Sequence, residues 1–289
     1  MNYLFHLLTL VALYVMLSTS LNLLVGYGGM VSVAHAAFYG IGAYVTGILT
    51  VKLGWSFFAA FPCAVIVAMA MAVVVAMPSL KLRGEYFFLA TLAFQNILFT
   101  VVYNWVPVTR GPYGIAGIPR PVLFGLRVDL TPSYAVFAIA LAAVCVLVLA
   151  VLCRSPFGRA LRCIREDEVV AAALGKNPRQ LKITAFVVSA AAAAGAGCLY
   201  AAYVSYIDPP SFGFETSVLI LTMVIVGGAG NLVGPMVGAV LMVALPELLR
   251  TVRIPGAIGP YLTQVVYGLL LVLLMRFRPK GLVGEYRFD

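Results

Sequence analysis

RSPFGRALRCIREDEVVAAALGKNPRQLK, residues 154–182, is the longest polar interruption in a chain of 289 residues that is otherwise mostly apolar. It contains ten of the 29 charged residues. Apolar runs that reach the roughly 17–25 residues needed to cross a bilayer lie before and after it. This polar stretch therefore connects membrane-spanning helices.

The first part of the stretch predicts a short helix. Ser155 and Pro156 are typical of an N-cap followed by the first helical position, and Arg162 and Arg165 close the helix.

The second part predicts another short helix. The acidic residues 166–168 open it, Gly175 takes the C-cap position, and Pro178 stops any continuation. Each helix has only two or three turns, whereas isolated helices become even marginal in water at roughly 12–15 residues. We therefore expect another protein to dock on this element; a solvated loop is the alternative.

The composition is that of a membrane protein. Hydrophobic residues make up 63% of the chain and charged residues 10%, far outside the soluble range. We expect an all-α, polytopic transmembrane bundle that forms one domain over residues 1–289, with lipid as its surroundings. The net charge of +9 then does not indicate nucleic acid. The first residues lack a basic region and run directly into a span, which predicts an uncleaved first helix.

Nine apolar runs predict eight to ten spans, because segments broken by glycine can enter the membrane and turn back. The runs are, approximately, 4–25, 30–51, 55–77, 87–106, 133–153, 183–205, 216–226, 232–249 and 261–275. Glycine clusters at 26–29 and 227–230 are each followed by a helix of small residues. Such paired breaks point to a transport site near the midplane, and chance similarity explains them equally well.

The basic residues predict the orientation. If 154–182 is cytoplasmic, the basic link at 81–83 and the C-terminal tail lie on the same side, which then holds 13 of the 19 lysines and arginines. We expect an external N-terminus and a cytoplasmic C-terminus.

The sequence lacks the phosphate-binding, catalytic and metal-ligand motifs that would indicate an enzyme. Gly175-Lys176 is followed by asparagine and lacks the upstream glycine of a phosphate-binding loop. There is no His-Glu-x-x-His helix, no Gly-x-Ser-x-Gly elbow, and no metal-ligand spacing among the five cysteines. We expect no catalytic residue, metal or cofactor, and an energy source outside this chain.

Few polar groups lie inside the spans. His35 fits a packed, hydrogen-bonded histidine or a proton relay. Asn22, Gln95 and Asn96 could hold helices together or line a pore.

The chain resembles the permeases of branched-chain amino acid ABC importers, of the LivM type. The resemblance covers nearly the whole chain and is carried by an ordered set of segments: SLNLLVGYGGMVSVAHAAFYGIGAY, LKLRGEYFFLATLAF, TRGPYGIAGI, FGRALRCIREDEVVAAALGKNPRQLKITAFVVSAAAAAGAGCLYA, VGGAGNLVGPMVGAVL with PELLR, and FRPKGL.

This resemblance implies a multi-pass protein of the bacterial inner membrane that forms a heterodimer with a LivH-type permease. Its partners would be two cytoplasmic ATPases, which use ATP and magnesium, and a periplasmic or extracellular solute-binding protein that docks on loops 107–131 and 206–214. The segment 166–175 is similar to the coupling helix of this family. The expected ATPase-coupling residues are Arg162, Arg165, Glu166, Asp167, Glu168, Ala172 and Gly175. The expected substrate pathway consists of Asn22, Gly26, Gly28, Gly29, His35, Tyr39, Gln95 and Asn96.

Two alternatives remain at this point. An ion-gradient-driven amino-acid carrier would transport by itself. A related ABC permease would carry urea, amides or other small organic solutes.

Overall fold

The structure, a computed structural model, describes residues 2–80, 82, 84–123, 126–127 and 131–251, and, nearer the C-terminus, 265, 268–269, 272, 276 and 281–283. The helices are α1 (Asn2–Asn22), α2 (His35–Lys52), α3 (Phe57–Ser79), α4 (Glu85–Asn104), α5 (Val106–Thr109), α6 (Thr131–Arg154), α7 (Pro156–Glu166), α8 (Glu168–Ala173), α9 (Pro178–Val204), α10 (Phe214–Gly227) and α11 (Val233–Thr251). A π-helical segment, Leu23–Tyr27, continues α1, and 3-10 turns occupy Gly111–Tyr113 and Pro209–Phe212. The short strands β1 (Ile115–Ala116), β2 (Val122–Leu123), β3 (Leu126–Arg127) and β4 (Tyr206–Ile207) pair antiparallel as β1–β4 and β2–β3.

The expected polytopic helical bundle is confirmed. Within the described residues, six segments are long and apolar enough to cross a membrane: Tyr3–Tyr27, Phe57–Ser79, Glu85–Asn104, Thr131–Arg154, Pro178–Val204 and Pro209–Gly227. The 18-residue α2 and the shorter apolar stretch Val233–Glu247 lie among them. The run predicted at 261–275 falls mostly outside the described residues, as do Lys81 and Arg83.

Helix α2 is the central helix, and it corrects one predicted boundary. The apolar run was expected to be helical from residue 30, but α2 begins at His35. Gly29 has a positive φ of 64°, which ends the preceding helix, and apolar composition alone does not reveal such a break. Small residues let α2 pack tightly on α9, since a Cβ on Gly42 would overlap the backbone of Ala194.

Helices α10 and α11 form an antiparallel hairpin built on glycine. A Cβ on Gly227 would overlap the carbonyl of Gly234, and one on Gly238 would overlap the carbonyl of Met223. The two backbones are therefore in direct contact, as small residues permit in membrane helices.

The connections collect at two opposite ends of the bundle. One, which we call the α7–α8 end, contains α7, α8, residues 28–34 and the turn 228–232. Residues 281–283 join it, because Leu282 and Val283 donate backbone hydrogen bonds to Val226 and Gly227, both at 3.0 Å. The other, the β1–β4 end, contains residues 105–123 and 205–213.

Candidate functional site

Helix α7 begins as the sequence predicts. The hydroxyl of Ser155 accepts a hydrogen bond from the backbone N–H of Phe157 at 3.2 Å, and Pro156 occupies the first helical position. The helix ends at Glu166, with Arg165 in its last turn.

Helix α8 is a six-residue helix with caps at both ends. The carboxylate of Asp167 accepts from the backbone N–H groups of Val169 and Val170 at 2.8 and 3.0 Å. At the other end Gly175 has φ of 76°. Its N–H donates to the carbonyl of Ala172 at 3.0 Å, and the N–H of Lys176 donates to the carbonyl of Ala171 at 3.2 Å. This is the Schellman pattern. Asp167 thus caps the start of α8 and Gly175 forms its C-terminal cap; the contact of both residues with an ATPase stays a prediction.

The predicted limits of the polar element need one correction. Pro178 does not merely stop the second short helix; it is the first residue of α9, and the side chain of Asn177 caps α9 by accepting from Gln180 N–H at 3.2 Å. The sixth apolar helix thus starts five residues before the predicted position 183. Proline is common at the first helical position, where the N–H that it lacks would have no intrahelical partner.

Helix α8 and its C-cap residue, Leu174, expose apolar side chains at the α7–α8 end. The exposed fractions are 76% for Val169, 51% for Val170 and 69% for Leu174. Only Ala171 of this helix is buried, and Ala172 is exposed. Glu168 pairs with Lys182 at the start of α9 at 2.7 Å, which fixes α8 against the bundle.

Two of the three arginines of α7, Arg162 and Arg165, turn inward, whereas Arg159 is exposed. The guanidinium of Arg165 donates to the backbone carbonyl of Gly26 and to the carboxylate of Glu166 at 2.5 and 3.0 Å. The guanidinium carbon of Arg162 lies 4.9 Å from the centre of the Tyr27 ring, within the range of a cation–π contact.

Asn22 and Gly26 hold the α10–α11 turn. The amide of Asn22 donates to the carbonyl of Asn231 at 2.7 Å and accepts from the N–H of Gly230 at 3.2 Å. A Cβ on Gly26 would overlap the Gly230 nitrogen. The two glycine breaks noted in the sequence are therefore packed against each other.

A cleft of about 1010 Å³ opens at the α7–α8 end. It lies between residues 28–31, the start of α4, and helices α7 and α8, and its lining includes five of the predicted site residues: Gly28, Gly29, Arg165, Glu168 and Ala172. The cleft brings part of the predicted pathway and part of the predicted coupling set into one surface.

His35 is buried and hydrogen-bonded. Its Nε2 lies 2.8 Å from the hydroxyl of Ser20, and that hydroxyl is 2.9 Å from the carbonyl of Leu17. Of the two readings of His35 left open by the sequence, this geometry favours the packed one.

Gln95 joins three elements in the interior. Its amide donates to the carbonyl of Phe212 at 2.7 Å and accepts from the hydroxyl of Ser217 at 3.3 Å. Ser217 in turn accepts from the N–H of Ala36 in the first turn of α2 at 3.0 Å. Sequence reasoning did not select Ser20 or Ser217; their only signal was a hydroxyl inside an apolar run.

Tyr39 belongs to an aromatic cluster below the β1–β4 end. Its ring centre is 5.0 Å from that of Phe212 and 5.5 Å from that of Tyr200. Tyr39 is buried within this cluster.

Asn96 is an exposed member of the predicted pathway, as is Gly29. With Thr100 and Asn104 it recurs every four residues, so these polar groups share one face of α4, and all three are exposed. Leu89, Ile97 and Val101 of α4 are exposed beside them, and on α6 the large exposed side chains are apolar: Val136, Ile139, Val144, Leu147, Val148 and Val151.

The two loops expected to receive a binding protein are joined to each other. Ile115 and Ala116 pair with Ile207 and Tyr206 in the β1–β4 ladder. Gly117 N–H donates to the carbonyl of Ser205 at 3.0 Å. Residues 124–125 and 128–130 of the first loop lie outside the described residues.

The fold and the site together define a multi-pass α-helical membrane protein with a short, capped and exposed helix at one end and exposed polar groups along one span. Its residues 3–275 match the family model described as "Branched-chain amino acid transport system / permease component". The chain therefore belongs to this family of transport permeases.

Individual relatives agree with that assignment. The chain is 35% identical over 302 residues to the high-affinity branched-chain amino acid transport system permease protein LivM of Escherichia coli (strain K12), covering 96% of this chain and 69% of the relative. It is 27% identical to a probable LivM permease of Methanocaldococcus jannaschii, covering 94% and 91%. It is also 27% identical to the LivH permease of E. coli (strain K12), covering 97% and 94%. No solved structure matches the chain with comparable significance.

Proposed function

We propose that this chain is one of the two permease subunits of an ATP-driven ABC importer for branched-chain amino acids. Its relatives carry that substrate in their names, and the observation that carries the proposal is α8. The exposed Val169 and Val170 of this six-residue helix, together with the exposed Leu174 directly after it, form an interaction surface, because apolar side chains exposed together mark a contact site.

The partner proposed for α8 is a cytoplasmic ATPase. No phosphate-binding loop occurs in the chain, so ATP hydrolysis has to come from another subunit. Two ATPases would use ATP and magnesium, one docking on α8 here and the other on the sibling permease.

The α7–α8 end is proposed to be cytoplasmic, which places the N-terminus outside and the C-terminus inside. Seven lysines and arginines lie in 154–182 alone, and basic residues near spans collect on the cytoplasmic side. In a bacterium the membrane would be the inner membrane.

The polar face of α4 is proposed to line the substrate pathway, at the contact with a LivH-type permease. An amide such as that of Asn96 costs several kcal/mol when it faces hydrocarbon without a partner (about 4–8 on water-to-cyclohexane scales). The apolar outward face of α6 suits lipid, whereas the face with Asn96, Thr100 and Asn104 suits water or a second protein. The start of α4 also lines the cleft at the α7–α8 end, so the proposed pathway is continuous with it.

The β1–β4 end is proposed to receive the solute-binding protein. Joining the loops 105–123 and 205–213 through a strand pair gives that protein one firm platform, in place of two independent loops.

Reconstitution tests the proposal. The chain is placed in proteoliposomes with the LivH-type permease, both ATPases and the binding protein encoded with it, and leucine uptake is measured with and without ATP. We expect uptake that needs ATP and all of these partners. Leucine uptake by this chain alone under a sodium or proton gradient would instead make it a secondary carrier. ATP-dependent uptake of urea or amides but not leucine would move it to a related importer.

A pair of arginine substitutions tests the docking site within the same assay. Leu174→Arg places a charge on the exposed apolar surface of α8, and we expect loss of ATPase binding and of uptake. Gln180→Arg adds the same charge at the same end, on the exposed first turn of α9. It should leave both nearly unchanged, and equal effects from the two substitutions would argue against docking on α8.

A further inference from the structure

Arg165 is part of α7, yet its side chain does not point toward solvent. The side chain is 13% exposed, compared with 67% for its neighbour Glu166. Its aliphatic part lies against Gly29, where a Cβ would come within 2.8 Å of the Arg165 Cγ. Most of the Arg165 side chain is therefore covered by the permease itself, although the residue also lines the cleft at the α7–α8 end.

Besides the carboxylate of Glu166, Arg165 reaches a carbonyl in the last turn of the helix formed by α1 and Leu23–Tyr27. The guanidinium donates to the oxygen of Gly26, while the N–H groups of Gly28 and Met30 both return to Leu24, at 3.1 and 2.9 Å. The last carbonyls of a helix lack donors from a following turn, and the negative end of the helix dipole attracts a cation. Arg165 therefore caps this helix from a different part of the chain.

A second arginine strengthens the same contact. Arg162 stands three residues before Arg165, on the same face of α7, and lies over the ring of Tyr27. The two arginines hold consecutive residues, Gly26 and Tyr27, at the end of the π-helical segment.

From that segment the contacts continue into the bundle. Asn22, one turn earlier, holds the α10–α11 turn through Gly230 and Asn231, and Gly26 is in backbone contact with Gly230. Packed and hydrogen-bonded groups thus form a continuous series of contacts from α7, through the end of α1, to the turn between α10 and α11.

We propose that Arg165 is a positioning residue that couples movement of α7 and α8 to the end of α1, and through it to the α10–α11 hairpin. The proposal rests on the function proposed above, in which an ATPase docks on α8. It assigns Arg165 to transmission inside the permease rather than to contact with the ATPase. The π-helical segment is where the movement would be taken up, because π segments inside α-helices are local irregularities that recur at functional sites.

The test separates docking from transmission. Complete complexes are reconstituted with Arg165→Ala, Arg165→Lys and the control Arg159→Ala, and three quantities are measured: ATPase bound per permease, ATP hydrolysed, and leucine taken up per ATP. Arg159 lies on the exposed side of the same helix and contacts the carbonyl of Arg154. The control removes an arginine from α7 without touching Gly26.

We expect Arg165→Ala to keep ATPase binding and ATP hydrolysis but to lower uptake per ATP about tenfold, within the 5–150-fold range of typical coupling between sites. Arg165→Lys keeps the charge and can still reach one carbonyl, so it should recover part of the loss. Arg159→Ala should match the unsubstituted protein.

Two results would overturn the proposal. Loss of ATPase binding in Arg165→Ala, with Arg165→Lys equally affected, would make Arg165 a docking residue. Unchanged uptake per ATP in Arg165→Ala would remove it from transmission altogether. Failure of the proposed function is recognised separately, because the unsubstituted complex would then show no ATP-dependent leucine uptake.

Discussion

The side-chain amide of Asn22 bonds to the backbone of Asn231, more than two hundred residues away in the sequence, at 2.7 Å. The same amide accepts from Gly230. One buried side chain in α1 thereby fixes the turn between α10 and α11.

Asn22→Ala should therefore lower stability. It removes both hydrogen bonds and leaves the Gly230 N–H without its partner, and a buried group left unsatisfied costs about 1–3 kcal/mol. Thermal unfolding in detergent measures the change. Asn96→Ala removes the same amide from an exposed position on α4 and should shift stability by less than about 0.5 kcal/mol. Equal losses at the two positions would contradict the role given to Asn22.

The α2–α9 contact predicts opposite effects for two glycines of one helix. A Cβ on Gly197 would overlap the carbonyl oxygen of Tyr39, whereas a Cβ on Gly195 has its nearest neighbour, the Phe61 Cζ, at 3.5 Å. Gly197→Ala should destabilise by about 1–3 kcal/mol or prevent folding, as overpacking does. Gly195→Ala should be neutral or stabilising by up to about 1 kcal/mol, because alanine favours helices. The yield and the unfolding temperature of the two variants, measured side by side, test this difference. A Gly197→Ala variant as stable as the unsubstituted protein would show that α2 and α9 are farther apart than the structure places them.

Two substitutions of Asp167 separate its role as the N-cap of α8 from the effect of its negative charge. Asp167→Ala removes the acceptor for Val169 and Val170 N–H and should cost α8 about 0.5–2 kcal/mol, while Asp167→Asn keeps an equivalent cap without the charge. Hydrogen exchange of the α8 amides should rise in the alanine variant alone, and coupling to the ATPase should fall with it. If the asparagine variant loses coupling just as strongly, the carboxylate acts through its charge and not as a cap.

The orientation is testable with two exposed positions at opposite ends. Tyr113 is 82% exposed at the β1–β4 end and Val169 is 76% exposed on α8. In a variant without the five native cysteines, Tyr113→Cys should react with an impermeant maleimide on intact cells. Val169→Cys should react only after the membrane is opened. The reverse pattern would invert the topology and remove the proposed ATPase site.

Local signals in the sequence were enough for much of the fold. The spans follow from apolar length, and Ser155, Asp167 and Gly175 have cap roles that depend on neighbouring backbone groups alone. The start of α2 was missed because it depends on the conformation of Gly29, and the start of α9 because Pro178 was taken as the end of one helix rather than the beginning of the next.

The site was predictable only in part, for a physical reason. Polar residues inside the spans mark Asn22, His35 and Gln95 as constrained, but their partners are Asn231, Ser20 and Phe212, and such long-range pairs leave no local pattern. The inward turn of Arg165 is a further example, since a basic residue on a polar segment is indistinguishable from a solvated one until the segment's packing is known.

Helix α8 keeps Val169, Val170 and Leu174 in water while its own ends are firmly capped. Under the topology proposed here, a permease without a bound ATPase exposes this apolar patch to the cytosol. A permease copy made in excess of the ATPase keeps this patch exposed and is prone to aggregation or proteolysis. The two subunits should therefore be produced in matched amounts.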